Sequence, residues 1–96
     1  KRKLLPMAEV EARYYLRFEV DDQPGVLAFV AGALGDQRVS IEQMVQEGRS
    51  DAGGAAVLVL MITHSCPEGA VRRAMERIAQ ARFMKAPPRL MRIEAV

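Results

Sequence analysis

The sequence predicts an α+β sandwich with elements in the order βαββαβ. Three features predict it: strict apolar–polar alternation over residues 14–20, an unbroken apolar run over 55–62, and two segments whose apolar residues recur at helical spacing. Ninety-six residues support one hydrophobic core and are too few for a catalytic domain beside a regulatory one. Half of them are apolar and 27% charged, the balance of a folded globular chain rather than a disordered one. With right-handed crossovers, this order gives a ferredoxin-like sandwich: a four-stranded antiparallel sheet with both helices on one face.

Residues 1–13 lack clean periodicity and contain Pro6, so they are expected to be a leader arriving from an upstream region. Tyr14, Leu16, Phe18 and Val20 then alternate with Tyr15, Arg17 and Glu19, which puts one face of a first strand in the core. Asp21-Asp22-Gln23-Pro24-Gly25 breaks the alternation. Asp22 is suited to cap a helix and Pro24 to sit in its first turn, and Val26, Leu27, Val30 and Leu34 follow on one helical face that should end near Gly35 to Gln37. A second strand is expected over Val39 to Gln46, with Val39, Ile41, Gln43 and Val45 on one side. The polar, glycine-rich stretch Glu47 to Gly54 reads as a hairpin turn.

Ala55 to Ile62 is apolar on both faces, the pattern of a central strand covered on both sides. The helices can cover one side and a second subunit the other. Ser65 and Glu68 stand at capping-box spacing with Pro67 between them, and Val71, Met75 and Ile78 form the stripe of a second helix expected to reach about Arg82. Pro87-Pro88 leads into a last strand in which Met91, Ile93 and Ala95 alternate with Arg92 and Glu94.

No apolar run approaches the ~20 residues that a membrane-spanning helix needs. Cys66 is the single cysteine, so no internal disulfide can form, and a reducing, cytoplasmic setting is expected. Residues 63–96 hold seven Lys/Arg against three Asp/Glu. Arg72, Arg73, Arg77, Arg82, Lys85, Arg89 and Arg92 could be read as a nucleic-acid patch, but the interrupted charge pattern fits a solvated helix face and strand better. An RNA-binding sheet would need stacking aromatics on its central strands, and 55–62 has none. An acyl-phosphate hydrolase would need an anion-cradling loop, whereas Asp21 and Asp22 make this one acidic. His64 and Cys66 are two potential metal ligands without a third.

The strand Tyr14 to Val20 running into Asp21-Asp22-Gln23-Pro24-Gly25-Val26-Leu27, with Val39-Ser40-Ile41-Glu42 after the helix, resembles the ACT family of amino-acid-binding regulatory domains. More narrowly, Arg13-Tyr14-Tyr15-Leu16-Arg17, Asp22 to Ala28, Ser40-Ile41-Glu42 and Leu60-Met61-Ile62-Thr63-His64 look like the C-terminal domain of bacterial homoserine dehydrogenases. The resemblance implies a division into a leader over 1–13 and an ACT regulatory domain over 14–96. It implies no catalytic residue and no cofactor here, with NAD(P) belonging to an upstream catalytic domain; the dinucleotide fingerprint GxGxxG is absent. It further implies feedback regulation by a free amino acid, threonine first, in a homo-oligomer paired through the sheet.

The expected ligand-binding residues are Asp22, Gln23, Pro24, Gly25, Val26, Leu27, Ser40 and Ile41. Helix N-termini expose unpaired amides, so Gly25, Val26 and Leu27 can meet a ligand carboxylate while Asp22 meets its ammonium. In related sensors an Asn often stands at the position of Asp22 and another at that of Ser40. The alternative expectation is a ligand-free structural dimerisation domain, in which Asp22 is only a cap and Gly25 only a turn residue.

Overall fold

The computed structural model describes residues 9–51 and 54–93, with the backbone alone at 49–51 and 54–55. The elements are β1 (Glu11–Asp21), α1 (Val26–Asp36), β2 (Ile41–Asp51), β3 (Gly54–Thr63), β4 (Cys66–Pro67), α2 (Glu68–Ala79) and β5 (Arg89–Ile93). The ferredoxin-like order is present: β2, β3, β1 and β5 lie side by side, every pairing antiparallel. The sheet differs from the expected four strands by the two-residue β4. It pairs Pro67 with Glu11 and Cys66 with Ala12, prolonging the β3 ladder along β1 after a kink at His64–Ser65 with the register moved by one residue. Strand β1 accordingly includes Glu11 to Arg13, which the sequence reading placed in the leader. Positions 1–8, the centre of the β2–β3 turn at 52–53 and the end of the last strand at 94–96 lie outside the described residues.

The alternation in β1 works as the sequence predicts. Tyr14, Leu16, Phe18 and Val20 are buried under the helices, together with Val57, Val59 and Met61 of β3. From above, α1 contributes Val26, Val30, Ala33 and Leu34, and α2 contributes Ala70, Val71, Ala74, Met75 and Ile78. Each fully buried side chain of the size of Leu or Phe adds roughly 1.5–3 kcal/mol of transfer free energy. Leu58, Leu60 and Ile62 of β3 are half-buried on the opposite face, away from α1 and α2.

Strand β2 departs from simple alternation. A bulge lies between Ile41, opposite Thr63, and Gln43, opposite Ile62, so Glu42 has no cross-strand partner. Directly paired residues share a face. Ile41 therefore sits on the core side with Thr63, while Gln43 and Val45 turn to the open face beside Ile62 and Leu60, contrary to the expectation that Ile41, Gln43 and Val45 line up. Met44 and Gln46 instead take the helix side, opposite Met61 and Val59.

Helix α1 ends in a Schellman motif: the Val39 amide donates to the Leu34 carbonyl at 2.9 Å and the Arg38 amide to Gly35 at 2.9 Å. Arg38, at φ 60, occupies the left-handed position that glycine usually fills. Helix α2 starts at Glu68 with Pro67 as N-cap and no side-chain cap bond, so the expected Ser65–Glu68 capping box does not form; the helix also ends at Ala79, short of Arg82.

Candidate functional site

Between β1 and α1 the chain makes a type II turn. The Val26 amide donates to the Gln23 carbonyl at 3.4 Å, Pro24 fills the second position, and Gly25 takes the third with φ 88 and ψ −12. That dihedral pair is open to glycine and strained for other residues, while proline presets the residue before it. Gly25 is also the N-cap of α1, its carbonyl accepting from the Phe29 amide at 2.9 Å. The sequence expectation is corrected here: Pro24 stands outside the helix and Asp22 does not cap it. Asp21 steadies the turn, its carboxylate accepting from Gln23 Nε2 at 3.3 Å and pairing with Lys85 Nζ at 3.2 Å.

Over this turn lies a cleft of about 220 Å³. Val20, Val57 and Val59 contribute apolar lining, residues 22–28 form one wall, and Gln46 of β2 stands across from them. The structure thus brings together six expected residues, Asp22, Gln23, Pro24, Gly25, Val26 and Leu27. Because Val26 spends its amide within the turn, the first-turn donors left without a helical acceptor are Leu27 and Ala28. An exposed carboxylate at Asp22 and two helix-start amides across an apolar floor suit a small zwitterion: ammonium to Asp22, carboxylate to the amides.

Ser40 and Ile41 are not part of this cleft. Ile41 pairs with Thr63 and the Ser40 carbonyl accepts from the His64 amide at 2.9 Å, whereas the cleft lies over Val57 and Val59. Four to six residues of strand at ~3.3 Å each separate the two places. Gln46 was not among the expected site residues. Its approach depends on the bulge, which reverses the faces of β2, and one sequence carries no signal of a one-residue bulge in so mixed a stretch.

A second polar cluster lies at the other end of β1. Glu68 Oε2 accepts from Arg72 Nε at 2.7 Å and Oε1 from Arg92 at 2.7 Å, while the buried Tyr14 hydroxyl approaches Oε1 at 3.4 Å. The Arg72 and Arg92 hydrogen bonds hold the Glu68 carboxyl below the usual carboxylate range. Burial, and then the neighbouring Glu68 charge, push the Tyr14 hydroxyl up; burial likewise raises the Cys66 thiol. Beneath them the Tyr14 amide donates to the buried Thr63 Oγ1 at 3.0 Å. The Glu68 amide donates to the Val10 carbonyl at 3.0 Å, fastening the start of α2 to the entering chain.

Among the described residues no three His, Cys, Asp or Glu side chains converge as a metal site, and no helix is long and apolar enough to cross a membrane. The βαββαβ sheet order is that of a ferredoxin-like sandwich, here with a type II turn opening α1. The profile of the ACT domain matches residues 14–83, and the chain belongs to the ACT-domain family. It is 34% identical over 93 residues to a homoserine dehydrogenase of Neisseria gonorrhoeae, covering 97% of this chain and 21% of that protein. It is 36% identical over 88 residues to one of Synechocystis, covering 92% and 20%. A solved homoserine dehydrogenase from Thiobacillus denitrificans superposes with a TM-score of 0.80 at 32% identity, over 94% of this chain and 19% of that one. The chain spans about a fifth of the length of these relatives.

Proposed function

We propose that this chain is the regulatory domain of a cytoplasmic homoserine dehydrogenase and binds a free amino acid, threonine first, as the feedback signal. The observation that carries the reading is the cleft at the type II turn, where Asp22 and the Leu27 and Ala28 amides offer opposite charges to the two ends of a zwitterion. The domain itself does no redox chemistry in this reading. Gly32 and Gly35 lie within α1 rather than in a loop after a strand, so these residues do not cradle a dinucleotide; NAD(P) belongs to a catalytic domain upstream.

The full site needs a second copy. Strand β2 is an edge strand, exposed from Glu42 to Gly48. Antiparallel pairing of two such edges about a twofold axis at Gln43 sets Gln46 opposite Ser40 of the partner subunit, which brings the two separated halves of the expected site to one place.

The test is calorimetry and amide chemical-shift mapping of the protein with threonine and the other amino acids of the aspartate family. Heat of binding and shifts at residues 22–28, 40, 41 and 46 are expected, and Asp22→Ala should weaken binding by on the order of 1–3 kcal/mol. A Gln43→Cys variant should cross-link to itself on oxidation, since paired Cα atoms near the axis lie within disulfide reach. Absence of heat and shifts with every amino acid would leave the ligand-free dimerisation reading.

A further inference from the structure

The chain has three phenylalanines, and only Phe18 is fully buried in the core. Phe29 of α1 and Phe83, which follows α2, are half-buried and meet where α1 begins and α2 ends. Their ring centroids lie 5.4 Å apart with the planes at 78°, so the pair forms an aromatic corner. A cleft of about 680 Å³ opens over it. Main-chain bonds fix the corner: the Phe83 carbonyl accepts from the Asp21 amide at 2.8 Å, the Glu19 carbonyl from the Lys85 amide at 2.9 Å, and Val20 pairs with Met84 between them. The charges around the cleft are compensated except for one. Arg77 holds its guanidinium 5.4 Å from the Phe29 ring centroid and gives Nη1 to Asp36 Oδ2 at 2.6 Å. Asp21, which lines this cleft and the amino-acid cleft alike, is taken by Lys85 and Gln23. Arg82 lines the cleft, is exposed and makes no ion pair among the described residues; the side chain of Gln80 beside it makes no hydrogen bond among them.

We propose that this cleft is a second small-molecule site, separate from the one at the type II turn, and that it takes an aromatic carboxylate. The ligand ring fits the corner, stacked on one phenylalanine and edge-on to the other, while its carboxylate meets the Arg82 guanidinium and the Gln80 amide. A single uncompensated cation calls for a single negative charge, which favours a carboxylate over a phosphate dianion. Asp21 already has its cation in Lys85, so this wall does not call for a ligand ammonium. Asp22 of the first cleft has no such partner among the described residues. A simple or 2-oxo aromatic acid therefore suits the corner, and a zwitterion suits the turn.

The test is titration of the chain with phenylpyruvate, followed by amide chemical shifts and by nuclear Overhauser contacts from the ligand ring to the ring protons of Phe29 and Phe83. Saturable shifts at Gln23, Phe29 and residues 80–83 are expected, with none at Gln46, which lines only the amino-acid cleft. Pyruvate, which lacks the ring, and benzyl alcohol, which lacks the charge, should each bind about tenfold more weakly or worse. Arg82→Gln should weaken phenylpyruvate binding by roughly tenfold or more through the lost charge-assisted contact, and Phe83→Leu by about threefold to tenfold through the lost ring contact. Arg82 is exposed, so the Arg82→Gln protein should melt with the parent, which separates lost binding from lost folding. Absence of saturable shifts, equal binding of pyruvate or benzyl alcohol, or an Arg82→Gln protein that binds as the parent does would overturn the proposal. Threonine calorimetry on the same variant reads the amino-acid cleft separately, so either idea can fail alone.

Discussion

Two glycines of the same segment should respond in opposite directions to one added methyl group. At both Gly25 and Gly32 a Cβ would meet nothing within 4 Å, so steric crowding is absent from either substitution. What differs is the backbone. Gly25 sits at φ 88, where an L-residue is strained by ~1–2 kcal/mol, while Gly32 lies inside α1, where alanine gains ~0.5–1 kcal/mol over glycine. Gly25→Ala should therefore destabilise and Gly32→Ala stabilise, separating the pair by about 1.5–3 kcal/mol. At ~4–8 °C per kcal/mol for a domain of this size, thermal melts by circular dichroism should place the two variants roughly 6–24 °C apart. Gly25→Asn should fall between Gly25→Ala and the parent, because asparagine tolerates the left-handed region. Equal shifts of the same sign would refute the assignment of the turn, and a neutral Gly25→Ala would show that the glycine is dispensable to its geometry.

The same reasoning makes Arg38→Gly stabilising by about 0.5–1 kcal/mol in urea titration, because it puts the usual residue into the Schellman position; a destabilised variant would contradict the motif. Thr63→Val removes the acceptor of the buried Tyr14 amide and should cost about 1–3 kcal/mol, with Thr63→Ser keeping much of it; equal losses in both variants would point to packing instead. Glu68 has its carboxyl pKa lowered in the fold, so the stability it adds is fully present above the ordinary carboxylate range and is lost as pH falls through the folded value. The difference in melting temperature between the parent and Glu68→Gln should therefore shrink on acidification below that range, and a difference independent of pH would count against the Arg72 and Arg92 contacts.

The sandwich was legible because of two patterns: the period of two over Tyr14 to Val20 determines which face of β1 meets the helices, and the doubly apolar Val57 to Ile62 marks a central strand. The break between β1 and α1 at Asp21 to Gly25 was legible as well, although its conformation was not, since Pro24 was expected inside the helix and stands before it. Three features were not. The bulge at Glu42 moves Gln46 to the cleft side, and nothing in the mixed polar and apolar stretch Glu42 to Gln46 marks which residue is extra. Asp22 and the Ser65–Glu68 pair have the right spacing for caps, but stronger demands displaced both: the type II turn at Gly25, and the two arginines that take Glu68. Ser40 and Ile41 share a motif with the turn in sequence while lying along the sheet from it, a separation fixed by strand register rather than by local preference.

Strand β1 is the first strand among the described residues and lies in the middle of the sheet, and this order bears on how the domain is made. Its ladders join Asp21 to Ala56 and Arg13 to Ile93, so every pairing waits for residues synthesised much later. Until β3 leaves the ribosome, Tyr14, Leu16, Phe18 and Val20 form an apolar strand with both edges bare, the kind of segment that chaperones hold and that aggregates when they do not. Closure of such distant contacts is slow relative to helix formation, so folding should be limited by the docking of β1 between β3 and β5 rather than by either helix.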